Sequence, residues 1–516
     1  MKNSTEQPAL RESSFRQMVV LICVSAPSFM LQLDANIVAV SLPSISQSLH
    51  ASFDGIEWVI TAYTLSFASL MLPAGALADR FGRKRMLIAG LRLFTLSSFF
   101  CGSAPDLPVL IGARALQGVG AAMQLSAGLA TLSHSFSGDA RARAFAFWGS
   151  VVGIGISMGP IAGGCITEMF GWQWAFYINL PIGVATMAMI AFVIEDSKDP
   201  HAIRVDIPGV ITFSAFLFLT TLALISGNRD GWNSPHVLAE AAGAVLFLGL
   251  FILAEALQAR PMLDFSFFYR PTYLGANIAQ FAFAAGLLTM LTYMPIYFQS
   301  ALGYSPRKAG LLMLPMALPL FIMPRIVAAQ LSHRLSGQAL LTWGLILVSA
   351  GLAWMALVAA SLDHRSILAG MLLTGVGAGL LNGETTKVGM TVIPPERAGM
   401  ASGISGTVRF SGVVVGFAAL GVVLFSRVAA VITASLASLN ENSRKAFIRE
   451  VASGNLSGAG ITCSSGTDLH ALALRSFGQG YEALLFAGAV LTAIASVATW
   501  LLVRATETQP IAKPAE

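Results

Sequence analysis

Apolar residues in this chain gather into blocks of about twenty, separated by short polar stretches rich in Gly, Pro and charge. Runs of that length and continuity predict helices that cross a bilayer, since a half-buried strand or surface helix would be interrupted periodically by polar positions. At about 1.5 Å per residue, such a block covers the roughly 30 Å of membrane hydrocarbon. Fourteen are predicted, with cores at 18–40, 58–78, 84–103, 107–132, 144–167, 173–194, 207–226, 236–256, 272–297, 307–330, 338–360, 367–390, 402–428 and 480–503. The pattern predicts an all-α integral membrane protein. The acidic, proline-containing segment 195–208 and the basic segment 260–270 bracket the seventh and eighth blocks as an inserted pair. The expected organisation is a leader (1–17), a six-helix half (18–194), a linker carrying two additional helices (195–271), a second six-helix half (272–504) with a long loop at 429–479, and a tail (505–516). PAGALADRFGRKR after the second block is echoed by AAQLSHRLSG after the tenth, with Leu331 and Arg334 in register and His333 where Asp79 stands. Internal duplication at that offset is a trace of transporter folds.

Composition agrees. Of 516 residues 55% are hydrophobic and 11% charged, against about 25% charged in a soluble domain. The formal net charge of +5 is dispersed over short loops, which fits topology and not a nucleic-acid surface. Alternate loops, with the leader and tail, hold nineteen Lys and Arg, whereas the opposite short loops hold four: Arg229, Arg307, Lys308 and Arg365. The positive-inside rule then places both termini in the cytoplasm. The long loop carries more cations, but long loops translocate largely regardless of charge. Its 434–451 stretch reads as a short amphipathic helix and 454–466 as flexible loop. Cys23, Cys101, Cys165 and Cys463 have no metal-ligand spacing. The first apolar block is too long for a signal-peptide core and lacks a small-residue cleavage site, so it is kept as a mature helix.

Asp34 is the exception inside the first block, an intramembrane carboxylate that needs a partner, a proton or an aqueous cavity. Arg114 is its counterpart inside the fourth, with Gln117 and Gly118 about one turn further along the same face. Arg114 is the sensible partner for Asp34 in the first half, and the pair is the candidate proton-coupling site. Arg92 and Arg409 are weaker cases that can snorkel or bind carbonyls. The other span acids, Glu168, Glu240, Glu255, Glu384 and Glu482, fall near span ends. Gly75, Asp79, Arg80, Gly82 and Arg83 form a tight charged turn, a candidate conformational latch with Asp79 capping a helix of the other half and Arg83 reaching Asp139. The fifth block places Gly155, Gly159, Gly163 and Gly164 around Pro160, a face made for close helix approach and bending. Gln32, Asn36, Gln124, Asn277, Gln280, Tyr293 and Tyr297, with Asn179 and Glu384, are candidates for a substrate cavity, although such residues more often join helices. No Walker loop, metal-ligand cluster or nucleophile triad is present, so the sequence supports neither ATP hydrolysis nor an enzyme.

These motifs together resemble the fourteen-helix drug:proton antiporters of the major facilitator superfamily, related to multidrug efflux pumps. The likeness runs from about Leu33 to Gly412. Gly75, Leu77, Asp79, Arg80, Gly82, Arg83 and Lys84 match the family's second-to-third-helix motif, and Arg114, Gln117, Gly118 and Gly120 its fourth-helix motif. Gly155, Gly159, Pro160, Gly163 and Gly164 match the antiporter motif. Trp172, Trp174, Phe176, Asn179 and Pro181, and later Pro394, Pro395, Glu396 and Arg397 followed by Ser402 and Gly403, are also similar to family patterns. The first-helix signature departs, with LDANIVAVSLP retaining Asp34 but placing Asn36, Ala39 and Ser41 where the family has Thr, Asn and Ala. The thirteenth-helix acid of relatives that move dicationic drugs is not apparent around Arg409.

The resemblance implies a major facilitator fold in a bacterial inner membrane, working as a monomer by alternating access. It implies export of amphipathic drugs or natural products, driven by the proton-motive force with no cofactor and no metal, with lipid, substrate and protons as partners. Proton-coupled uptake of a nutrient or siderophore is the alternative, disfavoured by the helix-five motif. A non-transporting membrane receptor is a further alternative, disfavoured by the retained buried charges.

Overall fold

The computed structural model describes residues 6–51, 53–136, 138–196, 206–258, 265–359, 361, 364–393, 398–436, 440–456 and 469–508. The side chains of Asp79, Asp139 and Ser402, the motif residues Pro394 to Arg397, and Cys463 lie outside that description. The first half contains α1 (Glu6–Ser48), α2 (Phe53–Phe81), α3 (Arg83–Gly102), α4 (Leu107–Ser135), α5 (Gly138–Phe170), the single turn α6 (Trp174–Tyr177) and α7 (Asn179–Val193). Then come α8 (Ile207–Asp230) and α9 (Pro235–Leu257). The second half contains α10 (Pro271–Phe283), α11 (Met290–Ser300), α12 (Pro306–Leu312), α13 (Leu314–Ile326), α14 (Gly337–Ala359), α15 (His364–Leu381), α16 (Glu384–Met390), α17 (Ala398–Ser435), α18 (Glu441–Ala452) and α19 (Leu469–Leu502).

Among the described residues, 12 helical stretches are long and apolar enough to span a membrane. α2 and α4, each of 29 residues, are outside that set. In α4 the polar positions Arg114, Gln117 and Gln124 lower the hydropathy that length alone would satisfy. The 271–300 stretch is interrupted by a π-helical turn at Ala284–Leu288, against which Gly412 and Gly416 of α17 pack closely. The 434–451 helix expected in the long loop is divided, because α17 runs on to Ser435 and a separate α18 begins at Glu441 under an Asn440 cap. Phe447, Ile448, Val451 and Ala452 bury its apolar side.

α2 and α3 pack on α4, and α1 on α5; in the second half α14 packs on α15 and α19. α8 and α9 pair with one another, while α8 lies against α2 and α17. The seam between the halves runs along α5 with α12 and α13, α1 with α11, and α2 with α17. It is tightest on the face carrying Ala51 and Gly303. There a Cβ on Gly164 would overlap the Pro306 carbonyl, and one on Gly310 the Pro160 carbonyl. Gln299 also donates to the Val40 carbonyl at 2.8 Å, and the Arg307 amide to Glu168 at 3.1 Å. Further along α5 the Ser157 hydroxyl donates to the Ala317 carbonyl at 2.8 Å, and a Cβ at Gly153 would meet Phe321 at 3.4 Å. At Gly149 a Cβ would meet nothing within 4 Å. Among the described residues, the close approaches of backbone to backbone on the α5 side of the seam lie on the face carrying Ala51 and Gly303.

Candidate functional site

The fold brings α4 and α7 onto one carboxylate of α1, with α3 behind them. Asp34 of α1 is fully buried, and an Arg114 guanidinium nitrogen from α4 lies 2.8 Å from its Oδ2. Gln117, one turn beyond Arg114, donates its amide to Oδ1 at 3.0 Å. Asn179, the first residue of α7, donates to the same oxygen at 2.6 Å. Both amides also donate to the Ser98 hydroxyl of α3, at 2.7 and 3.1 Å. Three donors converging on one acceptor, one of them cationic, suit an ion pair removed from water.

Arg114 is held in turn. Its Nε donates to the Val59 carbonyl at 3.1 Å, and a terminal nitrogen to Gln117 Oε1 at 2.6 Å. Its charge lies 4.2 Å from the centre of the Tyr63 ring and 5.8 Å from that of Phe176. Gly118 permits this, since a Cβ there would overlap the Tyr63 carbonyl oxygen and push α2 off α4. The expected Asp34 and Arg114 partnership is present, within the first half and sealed from any open space. Gln117 and Asn179 were visible in the sequence as polar residues of membrane helices. Ser98 and Tyr63 carried no such signal, being ordinary helix residues until the fold places them.

In the charged turn Gly82 has φ +112° and faces Asp196, which pairs with Arg85 at 2.9 Å. Lys84 donates to the Ala191 carbonyl at 2.7 Å. These cations tie the turn to the end of α7, within one half, a tether to which sequence spacing gave no clue. Arg80 is exposed beside the Phe81 ring, and Gly75 has room toward Ser126. In α5, Cβ atoms on Gly155, Gly159 and Gly163 would press on Phe29 and Gln32, on Asn36, and on Ile37, so this ridge is where α1 nests. Gly164 and Pro160 are on the other side, against α12.

The cavity candidates occupy several places. Gln32 and Asn36 lie under the α5 ridge, and Asn36 bonds back to the Gln32 carbonyl at 2.7 Å. Gln124 is buried in α4 with neither amide atom hydrogen-bonded among the described residues. Gln280 bonds to Thr385, and the Tyr293 and Tyr297 hydroxyls donate to the Phe417 and Ala359 carbonyls, each at 2.7 Å. Asn277 lines an apolar groove of about 460 Å³ between α10, α17 and α19. Arg92 is exposed, and Arg409 lies 5.2 Å from the Phe283 ring. Among the described residues no group of three or more His, Cys, Asp or Glu is placed to hold a metal ion.

Comparison with known proteins places this geometry in context. The family model of the Major Facilitator Superfamily matches residues 26–417. The chain is 35% identical over 414 residues to the multidrug resistance protein Stp of Mycobacterium tuberculosis, covering 79% of this chain and 76% of that protein. It is 34% identical to the methylenomycin A resistance protein of Streptomyces coelicolor, over 82% of this chain and 89% of the other. The puromycin resistance protein of Streptomyces alboniger is 31% identical over 80% and 82% of the two chains. In fold the chain is similar to the crystal structure of a bacterial homologue of the human lysosomal transporter Spinster, with a TM-score of 0.62 at 16% identity over 97% and 99% of the two chains. Matched over most of its length by sequence and in fold alike, the chain belongs to the Major Facilitator Superfamily.

Proposed function

We propose that this protein exports amphipathic small molecules across a bacterial inner membrane in exchange for protons, by alternating access of two six-helix halves. Relatives named for resistance to several drugs, to methylenomycin A and to puromycin support the direction and class of cargo. The single observation that carries proton coupling is the fully buried Asp34 bound to Arg114. Protonating Asp34 removes the charge that holds Arg114, frees the Gln117 and Asn179 amides, and loosens α1 from α4 and α7. Because Asp34 is sealed inside the first half, the proton and Arg114 compete for it, and cargo acts on that balance by favouring one arrangement of the halves. A membrane potential contributes about 2.3 kcal/mol per charge per 100 mV to such exchange.

The topology is completed by counting α2 and α4 as spans, which gives fourteen. Both termini are cytoplasmic, with the face carrying Ala51 and Gly303 outside. The conformer described is then closed to the outside. The latch and antiporter residues govern how the halves part, and one chain is the working unit, needing no cofactor beyond the proton-motive force. The experiment is growth of an efflux-deficient bacterial host on a panel of lipophilic compounds, with wild type and an equally expressed Asp34→Asn variant. Wild-type resistance that disappears in the variant is the expected result. Resistance that persists in Asp34→Asn removes Asp34 as the coupling group.

A further inference from the structure

Arg409 lies within the apolar length of α17, Gly403–Ser435, where a charge is costly unless it is partnered. It is half-buried, and its guanidinium meets the Phe283 ring of α10 at 5.2 Å. Among the described residues no carboxylate, carbonyl or hydroxyl holds it. Arg114, the other buried guanidinium, is by contrast enclosed by an acid, an amide and a carbonyl. The packing of α17 shows where Arg409 points. Gly406 and Phe410 lie on α2, where a Cβ at Gly406 would overlap the Met71 terminal methyl and the Phe410 ring is 4.0 Å from that of Phe67. Gly412 and Gly416 lie on α10 and its π-helical turn, where Cβ atoms would press on Phe281 and Ala285. Val414 clusters with Leu217 of α8, and Val408 shares a groove with Leu491 of α19. With 3.6 residues per turn, Arg409 falls on the remaining side of the helix, between Gly406 and Gly412. That side looks into the space between α2 of the first half and α10 of the second.

The protein supplies no anion there. α10 and α17 contain neither Asp nor Glu. Asp34 holds Arg114, and Glu384 of α16 holds Lys387 at 3.0 Å. Glu57 of α2 lies against Gly421, more than three turns further along α17. What flanks Arg409 is apolar and aromatic: Phe283 on one side, and Met71, Phe67 and Phe410 on the other. A guanidinium in such surroundings suits a carboxylate carried on an apolar body. Two parallel N–H···O bonds satisfy the cation, while the rings and the methionine take the hydrocarbon. A bound cation in the same place would face a like charge and find no acid to offset it.

We propose that Arg409 is the residue that receives the head of the cargo, and that the molecules exported are amphipathic anions, carboxylates in particular. The inference rests on the antiport reading above and narrows its class of cargo. Bound in this way, cargo is held from the second half, while the proton and Arg114 contend for Asp34 within the first. The choice of an anion also fixes the electrical character of the cycle. An anion leaving the cell and a proton entering it both move positive charge inward, so the membrane potential drives both.

The test is binding to the purified full chain in lipid nanodiscs, read by energy transfer from tryptophan to pyrene. Three probes share the pyrene body and differ in the head: pyrenebutyrate, its methyl ester, and the pyrenylbutyl trimethylammonium cation. Wild type is expected to bind the carboxylate at least about tenfold more tightly than either of the others, the scale of one charge-assisted hydrogen bond. Arg409→Gln is expected to bring the carboxylate down to the level of the ester, with ester binding unchanged as the sign of an intact fold. Arg409→Lys keeps the charge without the planar fork and covers the case in which the amide variant does not assemble; a reduced preference supports the proposal and an undiminished one overturns it. Equal binding of the three probes to wild type, no binding, or a carboxylate preference that survives in Arg409→Gln also overturns it. The nanodiscs are made of phosphatidylcholine alone and with added phosphatidylglycerol. A preference present in both supports cargo recognition, whereas one abolished by phosphatidylglycerol assigns Arg409 to a lipid headgroup and overturns it. The two readings fail separately, since resistance that survives Asp34→Asn does not alter these affinities, and loss of the carboxylate preference does not alter that resistance.

Discussion

The consequences of single side chains are sharpest around Asp34. Replacing Arg114 by Ala leaves a buried carboxylate without its cation, and breaking such a pair costs about 3–5 kcal/mol. The expected outcome is a marked fall in the midpoint of thermal unfolding of the detergent-solubilised protein, together with loss of transport. Arg114→Lys keeps the charge but cannot reach Asp34, Gln117 and the Val59 carbonyl from one planar group. It is expected to retain more stability than the Ala variant while remaining inactive, and resistance assays with parallel melting curves separate the two effects. Gly118→Ala drives a methyl into the Tyr63 carbonyl oxygen, overpacking that typically costs about 1–3 kcal/mol. The same melting measurement checks it, and an unchanged midpoint would contradict the close approach of α2 and α4. Asp34 and Arg114 were legible as isolated charges in apolar helices, because hydrocarbon makes an unpartnered charge conspicuous. Ser98 and Tyr63 were not, because a serine or tyrosine in a membrane helix has many inexpensive environments.

Among elements, α5 carries most of the conformational argument, with one side nested on α1 and the other closing on α12. Gly310→Ala would push the α12 backbone away from Pro160 while leaving the Asp34 network untouched. The expected effect is easier modification of a cysteine placed at Gln299 by an impermeant maleimide, because the outer seam parts; labelling equal to that of the parent protein would contradict this. α18 offers a contrasting case. Glu441 has its carboxyl pKa lowered by the hydrogen bond from Lys445, and by its charge, at the exposed start of that helix. A lowered folded-state value means a contribution present at neutral pH and lost as pH falls through that value. Because the pair is fully solvated, Glu441→Gln is expected to leave the melting midpoint unchanged at neutral pH and in mild acid alike. The division between α17 and α18 was missed in the sequence because the alanine-rich stretch around 434 continues the helical pattern, and only the Asn440 cap marks the restart.

For the whole molecule, a fluorescent reporter joined after the last helix is expected to mature in the cytoplasm, and one placed at Ser361 is not; the reverse pattern would invert the orientation on which the outer seam is defined. The sequence by itself determined that the chain is an all-helical membrane protein of this superfamily. Helix length, hydropathy and the spacing of Gly, Pro and charge are local properties, and a bilayer enforces them along one dimension. It also determined that Asp34 and Arg114 need partners, because their cost in hydrocarbon does not depend on which helices are neighbours. Only the tertiary structure decided that Asn179 and Ser98 complete the Asp34 network and that Asp196 receives the charged turn. Each of those contacts joins helices far apart in the chain, and its geometry is set by how closely glycine-faced helices approach, which no periodicity within one helix records.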